Sequence, residues 1–420
     1  MNKWTYTTLG KISEIITGPF GSQLHQSDYV EQGIPVVMPQ DIDNRRVNYA
    51  SINYVSNEDA IRLERYKTII NDILYARRGD VEKHAFIKEK DNGVLCGTGC
   101  LRVRITTSEV EPEFISFFLN REETRKWLVT HAVGTNMPNL NTDILSGIPI
   151  AYPLLEEQRK IVQVLNSLDE KIALNNAVND NLEQQLMLLY DYWFTQFDFP
   201  DNDGNPYQTS GGKMVWNDTL KRNIPENWKV QSVISNCLSS IIKPGVEIFN
   251  TKTYLATADV KGTSISTGTI VDYDGRESRA NMQPSINSVW FAKMKNSIKH
   301  LYLNKEMQPI ISSSILSTGF CGLQCNEISF EYIASYVSNA YFEIHKDMLA
   351  HGATQEAVNN DDLAGVHIII PEDTVLRAYH EATQAIYAQI SKNICENQEL
   401  VKLRDWLLPM LMNGQATISD

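Results

Sequence analysis

The stretch 172-IALNNAVNDNL-182 places two asparagines in an otherwise apolar helical seam. Leucine and isoleucine recur around it at alternating spacings of four and three residues, the pattern of a coiled-coil helix. A second stretch, 390-ISKNICENQEL-400, repeats the arrangement. The chain therefore contains two related helices, each with a polar centre in its apolar seam. The seam asparagines are Asn175, Asn179, Asn393 and Asn397.

Comparison of the sequence with itself extends this repeat to most of the chain. An offset of 218 residues aligns Pro153 with Pro371 and holds over about a hundred residues. Further upstream the offset drifts, but 73-ILYAR-77 still matches 289-VWFAK-293. A period this long excludes a solenoid and indicates a duplicated two-part module.

Each copy combines a first part of mixed composition with a helix. Runs such as 72-DILYA-76, 100-CLRVRI-105, 288-SVWFA-292 and 366-VHIII-370 have strand composition, whereas 112-PEFISFFLNREETRKWL-128 has amphipathic spacing. The predicted fold class is α+β, with two α/β heads, two long antiparallel coiled-coil helices and a pseudo-twofold internal repeat. The predicted segments are 1–152 (first head), 153–197 (first helix), 198–226 (linker), 227–370 (second head) and 371–420 (second helix).

A buried polar residue in a seam costs stability but penalises shifted registers and wrong partners. Each asparagine pair straddles the midpoint of its seam. Only an antiparallel arrangement brings the two midpoints together while it sends the ends of the helices to opposite poles. We therefore expect the four asparagines to fix the register; the alternative is that they are partly exposed and merely tolerated. Helices with a seam of about 33 residues would form a rod of about 50 Å with one head at each end.

Proline and glycine predict where the helices begin and end. Pro153 and Pro371 are expected in the first turn, where proline is tolerated. Pro409 should kink or end the second helix near its last turns, and Gly414 can close it. The segment 199–228, rich in Gly, Pro, Asn and Asp, is either a linker or a packed extended loop.

The net charge of −13 does not exclude a nucleic-acid ligand. Residues 1–152 carry 17 basic and 19 acidic groups, and residues 227–370 carry 11 and 13, so each head is close to neutral. The excess negative charge lies in the helices and the linker. Global charge affects solubility and steering, whereas binding depends on local patches.

The sequence has no apolar run of the length that a membrane helix needs. It begins without a signal-peptide pattern, so we expect a cytoplasmic protein.

Four of the cysteines form two Cys-x3-Cys pairs, Cys96 with Cys100 and Cys321 with Cys325. We interpret them as buried thiols and expect no metal; the alternative is a zinc site, although structural zinc prefers tighter spacings.

Motifs for catalysis are absent from the sequence. There is no Walker A loop, no glycine motif for a methyl donor and no Asn/Asp-Pro-Pro-aromatic tetrapeptide. A nuclease-like Asp-x-Lys occurs at Asp169–Lys171, but on a helix and without an upstream Pro-Asp, so a solvated helix face explains it better. His84 and His300 lack a neighbouring nucleophile and are interpreted as contact or structural residues. We expect no catalytic residues.

The sequence resembles the specificity subunits of type I restriction–modification enzymes over essentially its full length. The resemblance rests on the head–helix–head–helix order and on the motifs 17-TGPFGSQL-24, 133-VGTNMPNLN-141, 154-LLEEQRKIVQVLNSLDEKI-172, 206-PYQTSGGKMVWNDTLKRNIPENW-228 and 396-ENQELVKLRDWLLPMLMNG-414. In the second head, 243-KPGVEIFNTKTYLATADV-260 lacks the Gly-Pro-Phe-Gly-Ser form of the first head.

This resemblance implies a non-catalytic, DNA-binding subunit. Each head would be a target recognition domain that reads one half of a split, asymmetric site in double-stranded DNA. The helices would set the spacer and dock two methyltransferase subunits, and motor–nuclease subunits would join the complex. S-adenosylmethionine, ATP and magnesium would belong to those partners, with no cofactor in this chain.

Candidate DNA contacts come from polar and basic residues in the head loops, because base edges and phosphates are read by such side chains. In the first head they are Ser22, Gln23, Gln40, Arg77, Arg78, Lys83, Thr98, Thr135 and Asn136. In the second head they are Thr257, Lys261, Lys293, Lys295, Lys299, Thr318, Thr354 and Gln355. Two alternatives remain: a two-headed coiled-coil adaptor for proteins or glycans, and a nuclease that acts alone.

Overall fold

The computed structural model describes residues 4–21, 23–134, 138–353 and 355–418. The chain divides into two compact units, which we call unit 1 (Met1–Leu168 and Arg404–Asp420) and unit 2 (Asp169–Leu403). Unit 1 contains the first head and unit 2 the second head, each with parts of both long helices.

The first head is a mixed α/β domain whose described strands form two four-stranded sheets and two two-stranded sheets. Its strands are β1 (Thr5–Thr8), β2 (Ser13–Thr17), β3 (Tyr29–Val30), β4 (Ile34–Val37), β5 (Ile42–Asp43), β6 (Arg46–Val47), β7 (Asn53–Val55), β8 (Ile73–Ala76), β9 (His84–Phe86), β10 (Leu95–Cys96), β11 (Cys100–Ile105) and β12 (Pro149–Tyr152). Its helices are α1 (Leu9–Ile12), α2 (Asn57–Arg62), α3 (Pro112–Leu119), α4 (Glu122–His131) and α5 (Thr142–Ser146).

The central sheet of this head has the order β2-β11-β8-β9 and is antiparallel throughout. The smaller sheet, β10-β4-β7-β3, contains one parallel pair, β10 with β4. The predicted strands 72–76 and 100–105 are confirmed as β8 and β11. The amphipathic stretch 112–128 forms two helices rather than one, and five of the six residues from Phe114 to Leu119 belong to the apolar core of unit 1.

The first long helix, α6, spans Leu155–Tyr190 and continues into a π-helical turn at Asp191–Thr195. Ile161 and Leu165 of α6 are buried in the core of unit 1, together with Leu408 and Leu411 from the second long helix. The start of one helix and the end of the other therefore share one apolar cluster within unit 1.

The second head, in unit 2, has its own pair of four-stranded sheets. Its strands, with a preceding hairpin, are β13 (Met214–Asn217), β14 (Arg222–Pro225), β15 (Lys229–Ser232), β16 (Ser239–Ile241), β17 (Lys252–Leu255), β18 (Val260–Lys261), β19 (Ser264–Ile265), β20 (Thr269–Val271), β21 (Ala280–Met282), β22 (Ser288–Ala292), β23 (His300–Leu303), β24 (Ser314–Ser317), β25 (Phe320–Cys325) and β26 (His367–Ile370). The helices are α7 (Gln308–Ser313), α8 (Phe330–Ser338), α9 (Ala340–Leu349) and α10 (Asp373–Met412).

The central sheet of this head has the order β16-β25-β22-β23, again antiparallel throughout. Its second sheet has the order β20-β17-β24-β21, with β17 and β24 parallel. The predicted strands 288–292 and 366–370 are confirmed as β22 and, from His367, β26.

The segment between α6 and the second head is a packed structure. It contains the hairpin of β13 and β14, and its aromatic residues Phe199 and Trp228 stack at 4.9 Å between ring centroids. Both rings are buried in the core of unit 2. The segment 199–228 is therefore a packed loop, the second of the two alternatives that its composition allowed.

The predicted positions of the prolines at the helix starts are wrong. Helices α6 and α10 begin at Leu155 and Asp373, two residues after Pro153 and Pro371, so each proline precedes its helix. Helix α10 continues through Pro409 and ends at Met412, and Gly414 follows in the left-handed region with φ +69°. Helix α10 thus extends about one turn beyond Pro409 and ends near the predicted position.

The four cysteines of the two pairs are buried free thiols, as expected. Burial raises the pKa of Cys96 and Cys321 to about 12, so both stay protonated at neutral pH. Among the residues that the structure describes, no cluster of three or more His, Cys, Asp or Glu side chains could hold a metal ion. None of the described helices is long and apolar enough to cross a membrane.

Candidate nucleic-acid interface

The candidate residues of the first head converge on one edge of its central sheet. Strands β2 and β8 end there and β11 and β9 begin there, as the pairs Thr17–Leu101, Ala76–Cys100 and Tyr75–His84 require. The connecting loops therefore emerge side by side. We call this surface the first loop edge; it consists of residues 18–21 and 23–24, 39–41, 77–83, 97–99 and 138–140.

Tight backbone packing holds the first loop edge together. Gly18 donates its N–H to Cys100 O at 2.9 Å, and a Cβ at position 18 would lie 2.2 Å from Gly97 O. A Cβ at Gly99 would contact Pro39, the first residue of the short 3₁₀ helix Pro39–Asp41. The sequence therefore needs glycine where the three loops cross, and the exposed Gln40 and the partly exposed Thr98 lie next to that crossing.

Arg77 connects two of these loops. Its N–H donates to Gly99 O at 2.8 Å, its carbonyl accepts from Leu140 N at 2.9 Å, and its Nε donates to Leu140 O at 3.2 Å. The half-buried Arg77 side chain also lies 5.5 Å from the ring centroid of Phe20. Its neighbour Arg78 bridges Asn139 through the backbone and is exposed.

Two other candidates of the first head already have partners. Gln23 accepts a hydrogen bond from the Tyr66 hydroxyl at 2.7 Å, and Lys83 forms an exposed ion pair with Asp80 at 3.1 Å. Such an exposed pair is worth little and is easily exchanged for a phosphate. Ser22, Thr135 and Asn136 lie outside the described residues.

The candidates of the second head converge in the same way. Strand β22 ends and β23 and β25 begin at one edge, where Ala292 pairs with Phe320 and Phe291 with His300. We call this surface the second loop edge; it consists of residues 242–243, 257–262, 293–299, 318–319 and 355–358. The turn at Gly319 packs on Thr257, because a Cβ at position 319 would lie 2.9 Å from Thr257 Cγ2.

The backbone contacts at the second loop edge parallel those of the first. Lys293 donates its N–H to Gly319 O at 2.9 Å and accepts from Val358 N at 3.0 Å. Thr318 donates its N–H to Arg279 O at 2.8 Å, and Gly262 accepts from His300 N at 2.9 Å, next to the exposed Lys261.

Lysines supply the positive charge of this edge, and Lys295 and Lys299 show how they are held. Lys295 pairs with Glu356 at 2.8 Å, and Lys299 Nζ donates to Thr257 O. Gln355 is exposed beside Glu356, and Thr354 lies outside the described residues. The structure therefore brings together the described candidates of each head, and contact with DNA stays a prediction for each of them.

The two histidines are structural. His84 Nε2 lies 3.0 Å from Ser116 O, and burial, with the nearby Arg45 charge, lowers its pKa to about 3. His300 Nε2 lies 2.8 Å from Glu343 Oε1, and both side chains are buried. Asp169 and Lys171 lie on α6, where Lys171 pairs with Glu396 at 3.2 Å.

Phe20 and Arg279 also lie at these edges but are not among the candidates predicted from the sequence. Phe20 is 56% exposed beside Arg77 on the first loop edge, and an aromatic residue between glycines was a usable signal for it. Arg279 is exposed next to the turn at Thr318, but no spacing in the sequence links the loop 272–279 to that turn.

The structure also brings together the four asparagines within unit 2. Asn393 Nδ2 donates to Asn179 Oδ1 at 2.8 Å, and Asn175 Nδ2 donates to Asn397 Oδ1 at 2.9 Å. These pairings run in opposite directions along α6 and α10, so the two helices are antiparallel here. Asn175, Asn179 and Asn393 are buried and Asn397 is half-buried.

Glu396 adds a charge beside this cluster. Its Oε2 accepts from Asn175 Nδ2 at 2.7 Å, and this bond, with the Lys171 ion pair, lowers the pKa of Glu396. Asn397 Nδ2 in turn donates to Asn176 Oδ1 at 2.8 Å. The helix contact is therefore a network of amides with one ionised side chain at its exposed end.

Comparisons with known proteins agree with one another. Residues 1–184 match the family model of the type I restriction modification DNA specificity domain. The chain is 23% identical to the MjaIX specificity subunit of Methanocaldococcus jannaschii, covering 99% of this chain and 94% of that one. It is 22% identical to the HindI specificity subunit of Haemophilus influenzae, covering 99% and 100%.

A solved structure shares the fold. The specificity subunit of a type I restriction–modification system from M. genitalium superposes with a TM-score of 0.51 at 13% identity, covering 98% of this chain and 96% of that one. The chain is therefore similar in sequence to type I restriction–modification specificity subunits, over residues 1–184 for the domain model and over 99% of its length for these two relatives.

Proposed function

We propose that this chain is the non-catalytic DNA specificity subunit of a type I restriction–modification complex. The observation that carries the proposal is that each head gathers its polar and basic loop residues at one edge of a four-stranded sheet. Rigid scaffolds that position variable loops are the usual architecture of recognition surfaces. The relatives give no support to the adaptor alternative.

Each head would read one half of a split, asymmetric DNA site. The equal strand orders of the two central sheets support a pseudo-twofold repeat of one recognition domain. The side chains at corresponding points differ, because the first edge carries Arg77 and Arg78 where the second carries Lys293 and Met294. Arginine can bind guanine through two hydrogen bonds and lysine offers a point charge, so different half-sites follow.

The two long helices would form an antiparallel coiled coil that sets the spacer between the half-sites. Support comes from the asparagine network in unit 2 and from the apolar cluster of Ile161, Leu165, Leu408 and Leu411 in unit 1. Asparagines in the seam would fix the register, since a shift of one turn would leave buried amides without partners.

Partner subunits would supply the chemistry. We infer that two methyltransferase subunits dock on the helices and that motor–nuclease subunits complete the complex. S-adenosylmethionine, ATP and magnesium would bind those partners, and the complex would work in the cytoplasm, where its DNA is.

The test is methyl transfer by the reconstituted complex. This chain, co-expressed with its methyltransferase subunit, is given a library of duplexes with random half-sites and variable spacers, and methylated molecules are sequenced. The proposal predicts one split motif with one spacer length. A complex that binds no duplex at all would favour the adaptor, and metal-dependent cleavage by the purified chain would favour a nuclease.

A further inference from the structure

A fully buried ion cluster lies under the second loop edge. Lys346 of α9 is 0% exposed, and its Nζ lies 2.6 Å from Glu343 Oε2. Glu343 Oε1 lies 2.8 Å from His300 Nε2. Burial alone would raise the pKa of Glu343, but the hydrogen bonds from His300 and Lys346 outweigh it and lower that pKa. Stability alone does not explain such a cluster, because apolar packing is often as stable as a buried ion pair.

The cluster contacts the loop 293–299 at several points. Lys346 Nζ donates to Ala292 O at 3.2 Å and reaches Ser297 O at 3.5 Å. The next residue, Asp347, accepts from Asn296 N at 3.1 Å, where Asn296 has the left-handed φ of +55°. One face of α9 therefore holds the beginning, the middle and, through His300, the end of this loop.

The first head holds the corresponding loop without these charges. Aligning His84 with His300 places Val81 at the position of Ser297, and the 218-residue offset places Leu128 at that of Lys346. Val81 and Leu128 are both buried in the apolar core of unit 1. An apolar anchor is therefore sufficient for the fold of such a loop, and the ammonium of the second head adds donors aimed at loop carbonyls.

We propose that Lys346, supported by Glu343 and His300, is a positioning residue for the second loop edge: it fixes the loop that presents Lys293, Lys295 and Lys299 and thereby determines discrimination at the second half-site. This inference rests on the proposed function. It concerns residues that do not touch DNA and act through the loop backbone.

The experiment measures methylation by the complex of this chain with its methyltransferase subunits, on duplexes altered base by base in either half-site. Lys346→Met removes the ammonium. Ser297→Val with Lys346→Leu is the second variant, which installs the apolar pair of the first head. Glu343 keeps His300 as a partner in both variants. Lys126→Met is the matched control, because Lys126 of α4 also pairs with a glutamate of its own helix, Glu122 at 2.6 Å, but is exposed.

Both variants without the ammonium should lose about tenfold or more of the discrimination at the second half-site, and none at the first. Amide hydrogen exchange at 294–298 should be faster in both variants. Circular dichroism checks that each variant is folded, because removal of one partner from a buried ion pair lowers stability. Wild-type discrimination in the folded double variant would overturn the inference. If the wild-type complex itself methylated no split site, the proposed function would fail instead.

Discussion

Asn393 donates a hydrogen bond from Nδ2 to Oδ1 of Asn179 at 2.8 Å, and both side chains are buried between α6 and α10. Asn179 Nδ2 is directed to Ile390 O at 3.4 Å, and Asn393 Oδ1 accepts from Gln389 Nε2 at 2.8 Å. The amides therefore have partners on both sides, so their burial does not leave donors unsatisfied. The hydrogen bond between these two residues therefore defines how α6 and α10 align within unit 2.

Replacing one member of this pair should cost more than replacing both. Asn179→Leu leaves the Asn393 amide without its acceptor, and we expect a loss of about 1–3 kcal/mol in the free energy of unfolding. Asn179→Leu with Asn393→Leu should recover most of that loss but weaken the preference for one register. Urea unfolding measures the free energies of unfolding, and Gln184→Ala on the exposed face of α6 is the control. If the loss in the double variant equalled the sum of the losses in Asn179→Leu and Asn393→Leu, the pairing would be contradicted.

Gly18 provides a test of the packing that builds the first loop edge. In Gly18→Ala the new Cβ would lie 2.2 Å from Gly97 O, so the loops must separate. We expect weaker methylation through loss of the first half-site, with the second unaffected. Gly21→Ala, three residues away, meets nothing within 4 Å and serves as the control. Equal behaviour of the two variants would refute the role of this crossing.

Arginine at the first loop edge should govern one base position. If Arg78 binds guanine, Arg78→Ala should weaken binding of the complex by about 1–3 kcal/mol and relax that position. If it binds a phosphate, specificity stays unchanged and the slope of log affinity against log salt becomes shallower by about one. Titrations of labelled duplex at several salt concentrations separate the two. If neither the specificity nor the salt dependence changed, Arg78 would not be part of the DNA interface.

His84 should make the stability of unit 1 depend on pH. Its folded pKa of about 3 lies below the usual value near 6.5, so the unfolded state binds more protons in the interval between them. Stability therefore falls as pH falls through 6.5, by about 0.8 kcal/mol between pH 8 and pH 6.

His84→Gln keeps a donor for Ser116 O and should remove that share of the pH dependence. Urea unfolding at the two pH values measures it, and histidine-selective NMR of the folded chain should show that His84 does not titrate. A folded-state titration of His84 near pH 6.5 would contradict its burial.

The length of the helices should set the spacer. Removing 168–174 from α6 and 398–404 from α10 takes about 10 Å from the pair, since a helix rises about 1.5 Å per residue. Because base pairs repeat every ~3.4 Å, the recognised spacer should shorten by about three base pairs, or methylation should be lost. Sequencing of methylated duplexes with variable spacers measures the recognised spacer length. An unaltered spacer would contradict the claim that the helices set it.

The two long helices and several strands could be predicted because their residue patterns in the sequence are periodic. Seam spacing located α6 and α10, and the asparagines indicated their antiparallel contact. Strand composition located β8, β11 and β22. The helix starts were misplaced because proline is tolerated both in a first turn and just before a helix, and composition does not separate the two.

The candidate surfaces were harder to predict than the fold. Composition marks candidates in loops 77–83 and 97–99 independently, but only the strand order shows that these loops share an edge. The burial of Lys346 was not foreseen either, because an i,i+3 Glu–Lys pair looks the same in sequence whether it is exposed, as in Glu399–Lys402, or buried, as in Glu343–Lys346. Tertiary packing decides between the two.

The most direct test of the central claim is single-molecule mapping of adenine methylation in cells with this gene intact and deleted. The account predicts that one split, asymmetric motif loses its methylation on deletion and regains it when the gene is restored together with an active partner methyltransferase. If every methylated motif persisted after deletion while that methyltransferase was expressed and active, the claim that this chain specifies the methylated site would be contradicted.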